Sequence, residues 1–199
     1  TNELDIHNID YMQADILDLS ILNRKFDIIY CSGVLHHMDE PIAGWRSLKN
    51  CLEEGGLMNI GLYSNLARQH IVKIRRESKK LGIDTDDDAI RSFRRDLINS
   101  EEEHHKRSRQ AFNFYSLSEI RDLLFHAREH QFTIPEIKKC LAELNIEFCG
   151  FHSDKIIRDF KQIYSEETDL YNLEKWNQFE EANQNSFIGM YQFWCQRLD

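Results

Sequence analysis

The chain has 199 residues, of which 41% are hydrophobic and 30% charged, a balance that suits a soluble globular domain and leaves room for one large insertion. Its net charge of −9 and pI near 5.5 argue against a general nucleic-acid binder, because phosphate contacts need a basic surface. No run approaches the ~18 apolar residues of a membrane span, no signal-peptide pattern opens the chain, and the five cysteines form no Cys-x-x-Cys pair. They read as small core residues of a reducing compartment, so a cytoplasmic protein is expected.

Ile6 to Met12 is a short strand-like run, followed by the acidic turn Gln13 to Asp18. Phe26 to Cys31 is a continuous apolar strand, expected to be covered on both faces as in a parallel sheet. A polar cluster follows it directly: Ser32, Gly33, His36, His37 and Asp39. Pro41 opens a helix at a position where its missing N–H does no harm. Ile42, Trp45, Leu48 and Leu52 recur on one helical face, which is expected to pack on the sheet. Glu53-Glu54-Gly55-Gly56 is expected to end that helix with a left-handed glycine cap. Leu57 to Leu62 is the next strand, with Asn59 as its one strongly polar residue. This order is one strand–helix–strand unit of an open parallel sheet, and such sheets bind ligands in the crevice outside the carboxyl ends of their strands.

From 64 to 145 the chain is charged and helical in pattern, with helices expected at 65–81, 86–109, 116–128 and 134–144. Asp84 to Asp88 reads as a loop and helix start, and Ser116-x-x-Glu119 and Thr133-x-x-Glu136 as capping boxes. A helical run of this length between strands exceeds a normal crossover and reads as an insertion or lid over 65–145. The basic clusters within it alternate with acidic runs, and Glu101 to His105 likewise reads as a solvated helix face. His126-x-x-x-His130 has the spacing of two metal ligands, but no glutamate follows His126 and no third ligand is evident, so no metal is expected. Strand character returns at Ile146 to Phe151, helices follow near 153–163 and 168–183, and Phe187 to Cys195 forms an aromatic-rich closing strand.

These pieces resemble, in order, the C-terminal two-thirds of a class I S-adenosylmethionine-dependent methyltransferase. Gln13-Ala-Asp15-Ile16-Leu17 is similar to the family's adenine-contacting turn. Phe26 to Met38 is similar to its fourth strand and the turn after it, and Leu52 to Gly61 to its fifth strand with the preceding glycines. Ile146 to Phe151 and Phe187 to Cys195 are similar to the last two strands, including the reversed strand that marks the fold. Val34-Leu-His-His-Met-Asp-Glu-Pro41 resembles the string carried by quinone-methylating enzymes, and Leu62-Tyr-Ser64 that of methyltransferases fused to tetratricopeptide repeats. The family's Gly-x-Gly-x-Gly loop and the ribose-binding acid of its second strand have no counterpart here. The resemblance therefore implies an α/β core at 1–64 and 146–199 that lacks the family's N-terminal third, with the edge of Phe26 to Cys31 left unpaired.

What the resemblance implies for the site follows residue by residue. The cofactor would be S-adenosylmethionine, lined by Asp15, Ile16, Ser32, Gly33 and Val34. The Asp15 carboxylate would accept from the adenine amine, and Gly33 would let the backbone come close. His36 and His37 are candidates for a catalytic base or positioning group, since imidazole titrates near neutral pH; adjacent residues point apart, so one faces the pocket and the other packs. Tyr63, His70 and Tyr115 would meet the acceptor, a small molecule or a protein. No nucleic acid or membrane partner is expected, and a homodimer is compatible. A non-catalytic fragment acting through the helical insertion is the alternative, and a nicotinamide-dependent oxidoreductase on the same kind of sheet ranks below both.

Overall fold

The computed structural model describes residues 8–111, 114–126 and 129–199. Ile6 and His7 of the first strand-like run lie outside them, and 8–12 is exposed and forms no strand. Four strands make one sheet: β1 (Phe26–Ser32), β2 (Leu52–Leu62), β3 (Ile146–Phe151) and β4 (Tyr191–Arg197), in the order β1-β2-β4-β3. β1 and β2 are parallel, while β4 runs antiparallel to both its neighbours.

Alternation decides which side chains are buried. Met58, Ile60 and Leu62 of β2 and Tyr191, Phe193 and Cys195 of β4 face one core, with α1 (Pro41–Asn50), α6 (Ile134–Glu143) and α8 (Leu173–Ala182) contributing Trp45, Ile137 and Trp176. There Trp176 stacks on Phe160 of α7 (Asp154–Lys161), with ring centroids 3.7 Å apart. The expectation of a strand covered on both faces fails at β1. Ile28 is 61% and Tyr30 59% exposed, because among the described residues only the Ile29 and Cys31 side of β1 meets the core.

The glycine cap expected after α1 is also corrected. The helix ends at Asn50 with Cys51 as its cap, and β2 already begins at Leu52. Gly55, at φ +74°, lies where the β1–β2 register jumps from Phe26↔Leu52 to Ile28↔Leu57. The two glycines thus serve a bulge: a side chain at Gly56 would meet the Glu53 carbonyl at 2.9 Å.

The helical insertion contains α2 (Gln69–Leu81), α3 (Asp87–Asn99), α4 (Glu103–Ser108) and α5 (Leu117–Phe125). The single helix expected over 86–109 is two, because Ser100 adopts extended backbone and its hydroxyl accepts from the Glu102 N–H at 3.2 Å, a local bond that competes with helix continuation. Ile71, Ile74, Ile90, Phe93, Leu97 and Leu123 bury against one another in a second core. The helix expected over 168–183 is interrupted likewise: Glu167–Tyr171 is a 3-10 turn, and Asn172 caps α8. The closing strand begins at Tyr191, after Phe187 has turned into the core.

Of the two expected capping boxes, one forms. Thr133 accepts from the Glu136 N–H, and the Glu136 carboxylate accepts from the Thr133 N–H at 2.7 Å. Ser116 makes no such bond; its hydroxyl lies 3.1 Å from that of Ser118 instead. Thr133→Ala is expected to lower stability by about 1 kcal/mol, read from the urea midpoint at unchanged slope, whereas Ser116→Ala should leave it unmoved.

Candidate functional site

A cavity of about 1360 Å³ opens at the carboxyl ends of β1 and β2, between the sheet and the helical insertion. Ser32 at the end of β1 and Tyr63 just after β2 form its floor; Arg68, His70, Arg107 and Asp122 form the insertion side. The turn from Asn183 to Met190 closes another wall. Parallel pairing puts the two strand ends side by side, which is why residues 31 positions apart in sequence meet here.

Beneath the cavity lies a stack of flat groups. The His36 ring stacks on Tyr63 with centroids 4.0 Å apart, and the Arg68 guanidinium covers the same tyrosine at 3.7 Å. His36 is fully buried, and neither ring nitrogen has a hydrogen-bond partner of good geometry among the described residues. Burial, aided by neighbouring His37, pushes its pKa down to about 4, so the ring is neutral at physiological pH. His37 turns the other way, its ring 4.0 Å from that of His126. Burial raises the Tyr63 pKa, which keeps its hydroxyl protonated and able to donate.

Two carboxylates hold this region together. Glu129 takes Arg68 Nε at 3.0 Å and Nη2 at 2.9 Å, and Arg75 Nη2 at 2.7 Å. Its burial opposes ionisation, but the two guanidinium groups outweigh it and hold its pKa below the usual range. The following residues return to the sheet: His130 N–H donates to the His36 carbonyl at 2.7 Å, and Phe132 N–H to that of Tyr63 at 2.8 Å. Glu180, on the buried face of α8, accepts from the Ser64 and Tyr191 hydroxyls, both at 2.6 Å. Burial raises its pKa, the two hydroxyls only partly offsetting it.

Of the residues singled out from the sequence, Ser32, Tyr63 and His70 line the cavity. Asp15 caps the 3-10 turn Ile16–Leu22, accepting from Leu17 N–H at 2.9 Å, and the Ile16 carbonyl accepts from Ser47 Oγ at 2.6 Å. Gly33 has φ +78° and open space beside it, and Val34 precedes the 3-10 turn Leu35–His37. Tyr115 is exposed outside the cavity, its carbonyl accepting from Arg94. Arg107, Glu129 and Glu180 were not anticipated. Glu180 had a signal, since it lies on the α8 stripe of Leu173, Trp176 and Phe179. His70 Nδ1 and Arg107 Nε are buried without a partner among the described residues.

Residues 1–60 match the family model of a methyltransferase domain. The solved structure of PKMT2 from Rickettsia typhi in complex with AdoHcy is similar over 100% of this chain with a TM-score of 0.69 at 14% identity. The fold is that of a class I methyltransferase. In this methyltransferase fold, β4 is the reversed strand between β2 and β3. An uncharacterized protein of Synechococcus sp. is 25% identical over 153 residues, 72% of this chain. A tRNA U34 carboxymethyltransferase of Campylobacter fetus is 43% identical over 49 residues, 25% of this chain. The methyltransferase-fold chain spans 36% of the Synechococcus relative, 17% of the Campylobacter one and 40% of the Rickettsia chain. Among its described residues no helix is long and apolar enough to cross a membrane.

Proposed function

We propose that this chain takes part in methyl transfer from S-adenosylmethionine to an acceptor held in the cavity between sheet and insertion. The observation that carries the reading is the placement of that cavity at the carboxyl ends of two parallel strands, within a fold whose Rickettsia neighbour is seen with AdoHcy. The bound cofactor supplies an electrophilic methyl group on a sulfonium, transferred in line to an O, N or C nucleophile.

The residues present fit one side of such a cofactor. Gly33 has a left-handed backbone with open space where a side chain would stand, so a ligand can come close there. Asp15 is exposed, with one oxygen on Leu17 N–H and the other without a partner among the described residues, as an adenine amine acceptor requires. Ile16, Ser32 and Val34 flank these two. On the acceptor side Tyr63 donates from its neutral hydroxyl, and His70 and Arg107 line the cavity, each with a buried ring or guanidinium nitrogen that has no partner among the described residues. His36, stacked on Tyr63, acts as a positioning residue, and neither His36 nor His37 is among the residues lining the cavity. The insertion over 65–145 walls one side of the site, which suits a transfer that relies on orientation of the acceptor. The acceptor is a small molecule or a protein side chain, and its identity rests with the insertion.

Calorimetric titration of S-adenosylhomocysteine into the natural polypeptide carrying these residues tests the reading. Binding is expected, weakened about tenfold by Asp15→Ala, which removes one charge-assisted hydrogen bond. An absence of heat across micromolar to millimolar ligand would sink the cofactor assignment. Binding unchanged by Asp15→Ala would move the adenine elsewhere.

A further inference from the structure

We propose that Glu77, His104 and His105 form a binding site for a divalent transition-metal ion, with zinc as the fitting chemistry, that fastens α4 to α2. The Nε2 atoms of His104 and His105 each lie 2.6 Å from a different oxygen of the Glu77 carboxylate. One donor atom from each residue falls within 4.8 Å of the other two. Both imidazoles are largely buried, with side-chain exposures of 15% and 13%, while Glu77 keeps 38%. The site is thus walled by two rings and open on the carboxylate side, where water completes a coordination shell.

The donor set selects the ion. Two imidazole nitrogens and one carboxylate suit zinc, cobalt, nickel or copper, whereas calcium and magnesium need oxygen ligands. The outer contact is the kind that prepares a histidine for a metal: His105 Nδ1 lies 2.7 Å from Ser100 Oγ. With Nδ1–H given to that hydroxyl, Nε2 turns its lone pair towards Glu77, and a cation bound by nitrogen and carboxylate in place of their direct 2.6 Å contact satisfies both. The serine that breaks the long helix is therefore the one that orients the ligand. In the sequence Glu101 to His105 shows only a charge run, because Glu77 stands 27 residues from His104 and its approach depends on the packing of α2 against α4.

The site has a structural consequence for the cavity. Arg107, three residues beyond His104 on α4, lines the cavity and donates to the Ala67 carbonyl at 2.9 Å. An ion joining α4 to α2 fixes the wall that carries Arg107. Metal occupancy is therefore expected to order that wall independently of which cofactor or acceptor the cavity takes.

The test is titration of cobalt(II), then of zinc(II), into the protein, followed by visible absorption and by thermal denaturation with and without EDTA. One equivalent is expected to give d–d bands without a sulfur charge-transfer band, and to raise the melting temperature reversibly. Glu77→Gln and His105→Gln should each weaken binding by about 100-fold or more, and Ser100→Ala by about tenfold. Circular dichroism confirms that each variant is folded; should Glu77→Gln unfold, His104→Gln, which leaves the carboxylate in place, gives the same readout. Binding unchanged in these variants would overturn the proposal. So would a thiolate charge-transfer band, which would assign the ion to the cysteines, or an equal preference for calcium.

Discussion

Replacing Glu129 with glutamine is expected to remove about 3–5 kcal/mol of folding stability, a large part of what a domain of this size possesses. The magnitude comes from what is left behind. The Glu129 side chain is only 2% exposed, and it is the shared acceptor for Arg68, 6% exposed, and Arg75, 19% exposed. Glutamine keeps the shape but not the charge, so two guanidinium groups remain in a poorly hydrated place without a neutralising carboxylate, Arg75 keeping only the Leu123 carbonyl besides the new amide. Arg75→Ala should cost less, because Glu129 keeps its two bonds to Arg68 and the arginine removed was the better hydrated one. Urea unfolding of the two variants against the parent gives the comparison. Equal and small losses would mean that water reaches the pair in solution and that the network is not buried as described.

Acidification from pH 7 to pH 5 is expected to destabilise the protein well before its carboxylates titrate. His36 and His70 are both buried, and burial pushes each pKa down to about 4, with His37 adding to it for the first and Arg107 for the second. In the unfolded chain both take up a proton near pH 6.5. Between about pH 6.5 and 4 the unfolded state therefore binds more protons than the native one. Stability falls as pH falls across that window and levels off below it. The full depression of each group corresponds to on the order of 3 kcal/mol, of which about 2 is lost by pH 5, so the pair together matches in size the loss of Glu129. Glu180 acts in the opposite sense: its raised pKa gives stability that is lost as pH rises. Glu129, held low, adds a separate loss only as pH drops below the usual carboxylate range. Unfolding free energies at pH 7 and 5 in the Glu180→Gln background isolate the histidines. A flat profile there, or one unchanged by His70→Gln, would contradict their burial as neutral rings.

Much of the fold was legible because the signals were local. Ile28 to Cys31 is an unbroken apolar run within β1, and α1 has Pro41 at its start and Trp45 and Leu48 on one face. Thr133 and Glu136 carry their capping box within one turn. Gly55 and Gly56 misled, because a helix cap and a strand bulge ask the same thing of glycine, and only the pairing with β1 decides between them. Within the site, Ser32, Tyr63 and His70 were legible from the ends of their elements. The groups that brace it were not: Ser64 and Glu180 are 116 residues apart, and Arg68 and Glu129 are 61 apart. Such pairs leave a trace only as a charge where an apolar residue is due, as at Glu180.

The position of β4 bears on how the chain reaches this state. Tyr191–Arg197 is synthesised after the three other described strands of the sheet yet lies inside it, joining β2 to β3. Until the ribosome has released it, β3 has no partner in this sheet, and the inner edge of β2 offers its amides and carbonyls to any passing strand. Contacts of such long sequence separation are made late and slowly. Nascent chains stalled before residue 191 are therefore the species in which a chaperone, or a neighbouring chain, competes for that edge.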